Sequence, residues 1–188
     1  MAKKININYD VKSIEQAIQW IEKVKRELKA TIPRMFLDRC LDYIISRANE
    51  YLDNFIIGGE VANDIKNHWR KELISHKKVR LVNDSNKAVF IEFGVGKVGA
   101  VAQHPNSERA RYKYNVPSKS KDSTGRWAFK LDEKENLDLV VGYYKEKDDG
   151  LITTKGSPAN MYLYNAMMDL ISSRKYKDIW VEVLKERL

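Results

Sequence analysis

The stretch IEFGVGKVGAV, residues 91–101, places Gly94, Gly96 and Gly99 in the spacing G-x-G-x-x-G, directly after the apolar run AVFIEF. This spacing is that of a dinucleotide-binding turn, which needs a helix after the third glycine and an acidic residue about 20 positions further on. Here Pro105 interrupts any such helix, and residues 112–115 contain no acid. The glycines are therefore predicted to let the chain leave a strand sharply and begin a long loop.

Composition bounds the class of protein. The chain has 188 residues, a formal net charge of +8 and one cysteine, which allows one domain with a core but no disulfide framework. Cys40 lies in a helical apolar pattern and is predicted to be a small core residue. The sequence has no signal-peptide core and no run of about 18 apolar residues. We therefore expect assembly in a reducing compartment, with no membrane partner.

The first 58 residues are predicted to form a helical region. Ser13 fits the N-cap of a first helix, whose Ile14, Ile18, Ile21 and Val24 recur at helical spacing and are expected to bury against a second helix or another subunit. Pro33 fits the first turn of that second helix, capped by Thr31 or Ile32, and Gly58-Gly59 ends it. A shorter helix is predicted around residues 61–69.

The pattern then changes to short strands. Strands are predicted over 73–82, 88–93, 127–129, 137–144 and 151–154, with turns at 83–86 and 148–150. Residues 89–91 fit a single helical turn as well. A C-terminal helix is expected from Pro158 to Leu188, laying Leu163, Met167, Leu170 and Ile171 on the sheet, with a possible break at Ser172-Ser173. The order predicts an α+β fold with an antiparallel sheet, in which a domain over 59–188 forms one compact unit with 1–58.

Residues 95–126 are predicted to be a long loop. It carries seven Lys and Arg against two acidic residues, so it holds most of the net charge. It is either a solvated excursion or an arm that orders on a partner, the second being favoured because its tyrosines need burial. Deletion of 104–122 is then expected to leave a folded monomer. The candidate inter-subunit or DNA-channel residues are Lys97, Arg109, Arg111, Tyr112, Lys113, Tyr114, Lys119, Lys121 and Arg126.

The chain lacks the patterns that carry catalysis or cofactor binding. His68, His76 and His104 are far apart and form no metal-ligand spacing, and neither a nucleophile elbow nor a Walker A motif is present. We therefore predict no catalytic, cofactor-binding or metal-binding residues, and no enzyme. The basic loop also lacks the signature of a known nucleic-acid-binding module, so any contact with DNA is expected to be non-specific.

The glycine stretch gains a second interpretation from the residues that follow it. Glu-Phe-Gly-x-Gly, a later tryptophan strand, and a Gly-x-Pro motif opening the last helix follow one another over about residues 60–170. This order resembles the tail-completion or neck (head–tail joining) proteins, small tail components of long-tailed bacteriophages. Val95 stands where that family has threonine. The matching residues are Glu92, Phe93, Gly94, Gly96, Trp127, Gly156, Pro158 and Ala166.

The resemblance implies a non-enzymatic structural protein of the virion, assembled in the bacterial host cytoplasm. Such a subunit forms a ring, hexameric or dodecameric, between the head connector and the tail terminator or tail-tube proteins, with phage DNA passing through its centre. Two alternatives stay open: a nucleic-acid-binding module of a mobile element, and a minor capsid or tail-tube protein. We further expect Phe93 to be buried, Glu92 to pair with a basic group, and Gly94 or Gly96 to adopt a conformation that a β-carbon opposes.

Overall fold

A computed structural model describes residues 11–55, 59–114, 127–130, 144–146, 151–154 and 156–188. Within them helices dominate, accompanied by short antiparallel strands, which confirms the predicted α+β class. The helices are α1 (Val11–Arg26), α2 (Ile32–Phe55), α3 (Gly59–Asn67), α4 (Ala88–Phe93), α5 (Gly96–Val101), α6 (Tyr162–Ser172) and α7 (Lys175–Arg187). The strands are β1 (Trp69–Ser75), β2 (Lys78–Asn83), β3 (Trp127–Lys130), β4 (Tyr144–Glu146), β5 (Leu151–Thr154) and β6 (Gly156–Ser157).

The two N-terminal helices are joined without a break. A π-helical turn, Glu27–Thr31, connects α1 to α2, and the Ile32 N–H donates to the Glu27 carbonyl. The predicted separate start at Pro33 is therefore wrong. Pro33 has no N–H to donate and its ring crowds the preceding turn, and a locally widened helix accommodates both defects. Ser13 likewise lies inside the first turn of α1 and is not its N-cap.

The strands form two small sheets. Strands β1 and β2 make a hairpin that turns at residues 76–77, so the single strand predicted over 73–82 is wrong. In the second sheet β5 lies between β3 and β4 and pairs antiparallel with both, Trp127 facing Thr154 and Tyr144 facing the same residue. Of the strand predicted over 137–144 only Tyr144 is among the described residues, and the predicted turn at 148–150 falls outside them.

Residues 88–93 are helical, which decides between the two predicted alternatives. Helix α4 ends at Gly94, whose N–H donates to the Phe90 carbonyl at 2.9 Å with a φ of 75°. A glycine in this left-handed region is a common way to terminate a helix, because other residues pay a steric penalty there. The six-residue apolar run is too short for its periodicity to distinguish a strand from a helical turn.

The chain divides into two compact units that interleave along the sequence. The first comprises the described residues of Met1–Ile44, Lys71–Val82 and Met168–Leu188, and the second those of Ile45–Arg70 and Asn83–Met167. This division differs from the predicted boundary at residue 58. The difference arises because α2 is one long helix whose two halves contribute to different units.

The core of the first unit joins α2 to α7. Ile32 and Cys40 pack with Ile179 and Val183, and the Phe36 and Trp180 rings meet edge to face at 5.2 Å between centroids. The apolar segment beyond residue 173 thus finds its partner in α2. The break predicted at Ser172-Ser173 is confirmed, since Ser173 and Arg174 separate α6 from α7.

Several positions predicted to be buried are exposed in the single chain, and for those of α1 the predicted alternative, burial against another subunit, stays a prediction. Ile14, Ile18 and Ile21 of α1 are exposed, as are Met167 and Ile171 of α6, while Leu163 and Leu170 are half-buried. The prediction that these α6 residues lie on a sheet is wrong for the two exposed ones. The buried cluster of the first unit is formed by residues of α2 and α7.

The second unit has its own core, contributed by α2, α3, α4 and α6. The Trp69 ring lies edge-on to Tyr162 at 6.1 Å, and its Nε1–H donates to Asn49 Oδ1 at 3.0 Å. The buried apolar residues of this unit include Ala48, Leu52, Ala62, Ile65, Ala88, Tyr162 and Ala166. Among the described residues, no helix is both long and apolar enough to cross a membrane.

Burial makes the Cys40 thiol unreactive. It raises the pKa of the Cys40 thiol to about 11, so that roughly 0.1% of the thiol is ionised at pH 8. We expect native protein to resist alkylation by iodoacetamide at pH 8 and to react with one equivalent once unfolded in urea. Mass spectrometry of the labelled protein measures this, and rapid stoichiometric labelling of the native chain would contradict the packing of α2 against α7.

Candidate functional site

Two motifs that lie about 60 residues apart in the sequence come together in the second unit. Val95 bridges to Ser157 and Gly96 to Gly156, both antiparallel. The Asn160 N–H donates to the Ile91 carbonyl at 2.9 Å, and the Met161 N–H donates to the Glu92 carbonyl at 3.1 Å. We call residues 91–96 together with 156–166 the glycine corner. It unites most of the residues on which the family resemblance depends.

The glycines of this corner are sterically required. Gly94, Gly96 and Gly156 have φ values of 75°, 64° and 100°, which confirms the expectation for the first two. A β-carbon on Gly94 would lie 2.6 Å from the Ala159 nitrogen, and one on Gly156 would lie 1.9 Å from the Val95 carbonyl oxygen. The backbones therefore approach so closely that no side chain fits between them.

The same geometry argues against a dinucleotide-binding turn at these glycines. A six-residue helix, α5, begins at Gly96 and already contains Gly99, so the prediction that a loop follows directly is wrong for this segment. The residues before the motif form helix α4 rather than a strand. A dinucleotide-binding turn needs a strand before the glycines and a long helix after them, and the described residues provide neither.

Glu92 is the buried charge that holds the corner together. Its Oε2 accepts the Leu163 N–H at 2.9 Å, and its Oε1 accepts the Tyr164 N–H at 3.0 Å. These are N–H groups of the first turn of α6, which have no partner inside the helix. A carboxylate at this end also interacts favourably with the helix dipole. Glu92 therefore caps a helix whose sequence offers no capping side chain of its own at that turn.

His104 supplies the third contact of the Glu92 carboxylate. Its Nε2 lies 2.9 Å from Glu92 Oε1, and its Nδ1 lies 3.0 Å from the backbone nitrogen of Asn106. Because the Asn106 N–H can only donate, Nδ1 must accept and the ring proton resides on Nε2, facing Glu92. The prediction that Glu92 pairs with a basic group is confirmed in this form: a neutral imidazole that donates a hydrogen bond.

Aromatic rings enclose this polar pair. Phe93 stacks on Tyr112 at 4.8 Å and lies 4.4 Å from the His104 ring, while Tyr114 meets Tyr112 edge to face at 4.9 Å. The Tyr112 hydroxyl donates to the Gly94 carbonyl at 2.8 Å. The Tyr114 hydroxyl accepts a hydrogen bond from the backbone N–H of His104 at 3.0 Å. Burial raises the pKa of the Tyr112 phenol. Phe93 is half-buried rather than fully buried.

These contacts give the loop tyrosines partners within their own chain. The sequence pattern predicts that Tyr112 and Tyr114 need a partner for burial, but they pack within their own chain. For the same reason, deletion of 104–122 would remove His104 and both tyrosines from the corner. It would expose the Glu92 carboxylate, so a folded monomer is no longer the expected result.

A short basic turn lies against the corner. Hydrogen bonds from Ala110 to Asn106, Arg111 to Glu108 and Tyr112 to Ser107 fix its backbone. Arg109, Arg111 and Lys113 project from this turn and are exposed. A shallow depression of about 410 Å³ adjoins Arg111 and Lys113, and its other lining residues include Phe90, Val95 and Gly96. The surface thus combines an exposed apolar floor with a cationic rim.

The other predicted site residues divide into two groups. Ala166 is fully buried in α6 and Pro158 is half-buried, so both support the corner. Trp127 begins β3, paired with Thr154. The remaining side chains named by the sequence lie outside what the structure describes: those of Lys97, Lys119, Lys121 and Arg126.

The buried Glu92–His104 pair is fully engaged by contacts within the chain. Both ring nitrogens of His104 and both oxygens of Glu92 are engaged, and both side chains are buried, so neither can reach a substrate. Within the described ranges no group of His, Cys, Asp or Glu side chains could hold a metal ion. The sequence signal that could have identified the buried pair is the single acid in the otherwise apolar run AVFIEF.

The comparisons with known proteins find no relative of this chain. No protein-family model, curated protein or solved structure matches the chain.

Proposed function

We propose that this chain is a structural subunit of the neck of a phage or prophage, forming a ring that joins the head connector to the tail. The observation that carries the proposal is the glycine corner, where the two motif segments behind the family resemblance meet in one hydrogen-bonded structure. In this proposal the chain has no catalytic role.

The basic turn is the proposed contact surface. Arg109, Arg111 and Lys113 are held outward by a turn that is itself fixed to the corner, so they present charge without the entropy cost of ordering a free loop. Each exposed ion pair with an acidic neighbour contributes only about 0–1 kcal/mol. A ring repeats the contact at every interface, and phosphates in the lumen offer a second class of anionic partner.

Charge reversal of the turn tests this proposal without disturbing the core. We expect the triple variant Arg109→Glu, Arg111→Glu, Lys113→Glu to fold normally and to lower the infectious titre by about a hundredfold or more, because losses of about 1 kcal/mol compound over repeated interfaces. The measurement is complementation of the encoding phage or prophage carrying a stop codon in this gene. Electron microscopy of the lysate should show separate heads and tails.

A matched control carries the same charge change elsewhere. Lys77→Glu, Lys78→Glu, Lys177→Glu alters three exposed lysines of the first unit and should complement nearly as well as the wild type. If the turn variant joins heads to tails at normal yield, the basic turn is not the contact surface. If the stop codon alone leaves head–tail joining intact, the neck assignment itself is wrong.

The exposed cations also favour a second candidate, a nucleic-acid-binding module of a mobile element. This candidate requires a monomer that binds DNA with an affinity falling steeply with salt. Fluorescence anisotropy with a labelled duplex at two salt concentrations distinguishes the two proposals. Salt-dependent binding by a monomer, lost in the turn variant, would favour the module, whereas an oligomer with weak DNA affinity would favour the ring.

A further inference from the structure

Arg111 of the basic turn has a backbone conformation that arginine rarely adopts. Its φ is 53°, in the left-handed region. The Tyr112 N–H donates to the Ser107 carbonyl and the Arg111 N–H donates to the Glu108 carbonyl, at 3.0 Å each. This pair of hydrogen bonds is the Schellman motif, in which glycine usually occupies the left-handed position. The β-carbon of Arg111 therefore carries a steric cost that a glycine would avoid.

The turn places Arg111 beside an exposed apolar surface. Arg111 and Lys113 line the shallow depression together with Phe90 and Val95, and Phe90 is 50% exposed. None of the residues that line the depression is acidic. Within the described part of the chain, the Arg111 guanidinium has no carboxylate partner. An unpaired guanidinium therefore lies next to an apolar floor that no part of the described chain covers.

We infer that Arg111 is the residue of the basic turn that binds the partner, through a bidentate contact with a carboxylate on a neighbouring protein subunit. A planar guanidinium offers two parallel N–H donors that match the two oxygens of a carboxylate, whereas the Lys113 ammonium acts as a point charge. Beside that contact, an apolar side chain of the same partner covers Phe90. The inference rests on the proposed function and names the partner chemistry of its contact surface.

The apolar floor favours a protein partner over the DNA of the lumen. A non-specific protein surface meets a duplex mainly at its phosphates and sugars, and those contacts are polar. A half-exposed phenylalanine gains more from burial against apolar atoms of a protein. The contact joins two different patches, the depression of one subunit and an acidic patch of the next, as a head-to-tail ring requires. It lies between neighbours and leaves the centre of the ring open.

Replacement of Arg111 by lysine tests the bidentate contact, because lysine keeps the charge and loses the planar pair of donors. We expect Arg111→Lys to lower the infectious titre in the complementation assay by roughly tenfold. Arg109→Lys is the matched control in the same turn and should stay within about twofold of the wild type. Electron microscopy of the Arg111→Lys lysate should show unjoined heads and tails.

Replacement by glycine separates stability from binding. Arg111→Gly removes the steric cost of the left-handed conformation, so its urea midpoint should stay level or rise slightly. Its titre should nevertheless fall by roughly tenfold or more, because the guanidinium is lost. Arg174 has a φ of 57° between α6 and α7, outside the basic turn. Arg174→Gly should behave alike in urea and keep the wild-type titre, as Arg111→Gly would if its role were structural alone.

Each other outcome has a definite meaning. If the stop codon abolishes joining and Arg111→Lys complements like the wild type, the inference is overturned and the neck assignment stands. Equal losses for Arg109→Lys and Arg111→Lys would overturn Arg111 as the specific contact. If Arg111→Lys lowers the affinity for the labelled duplex more than Arg109→Lys does, the partner group is a phosphate and the protein partner is overturned. A stop codon that leaves joining intact would overturn the neck assignment itself.

Discussion

Replacing Glu92 by alanine is expected to lower the free energy of unfolding by about 4 kcal/mol, because one buried and two partly buried donors lose their acceptor at once. The donors are the N–H groups of Leu163 and Tyr164 and the Nε2–H of His104. Urea denaturation followed by circular dichroism measures the effect. The far-UV signal should also show a shortened α6, since its first turn loses its cap.

Two variants frame this result. Glu92→Gln keeps one acceptor oxygen but turns an amide N–H₂ toward the donors, so we expect a loss between the wild type and the alanine variant. Glu108→Ala removes an exposed carboxylate in the same unit and should change stability by no more than about 0.5 kcal/mol. A loss below about 1 kcal/mol for Glu92→Ala would show that the carboxylate is not the cap of α6.

Gly156→Ala is expected to be as damaging, with a loss of about 4 kcal/mol or more, or failure to fold. The new β-carbon would meet the Val95 carbonyl oxygen at 1.9 Å, and the φ of 100° is one that alanine rarely adopts. Neither atom can move without breaking the bridges at Val95 and Gly96. The yield of soluble protein and its midpoint in urea measure the effect.

Gly59→Ala provides the matched glycine control. Gly59 begins α3, and its β-carbon would meet only the side-chain nitrogen of Asn63 at 3.2 Å, which can rotate away. Alanine also has the higher helix propensity, so stability should stay level or rise slightly. A Gly156→Ala variant as stable as this control would mean that the two segments of the corner do not approach as described.

The sequence is informative wherever a local pattern decides the structure. The position of α7 and the break after Ser172 follow from apolar periodicity and turn residues. The positive φ of Gly94 and Gly96 follows from the sharp turn that the chain makes after residues 88–93. Whether residues 88–93 form a strand or a helix cannot be decided from the sequence, because a run of six residues fits either period. The π-helical turn before Pro33 also cannot be predicted from the sequence, since a proline usually indicates the start of a helix.

The site is harder to predict because its contacts join residues far apart in the chain. Glu92 stands out from its motif, yet its partner His104 looks like an isolated histidine in the sequence. No periodic pattern links a carboxylate to the N–H groups of a helix 71 positions later. The loop tyrosines are half-buried against residues of their own chain, while the predicted contact of the loop with a neighbouring subunit stays a prediction. Sequence alone cannot distinguish packing within the chain from packing on a neighbour.

The cap of α6 has a consequence for how the protein is made. Glu92 leaves the ribosome well before Leu163 and Tyr164, and at about 5–20 residues per second the interval is on the order of ten seconds. Throughout that time the carboxylate lacks its helix partners, so the glycine corner cannot close while the chain is being synthesised up to residue 164. The nascent second unit is therefore open to proteases and chaperones until its last helix emerges.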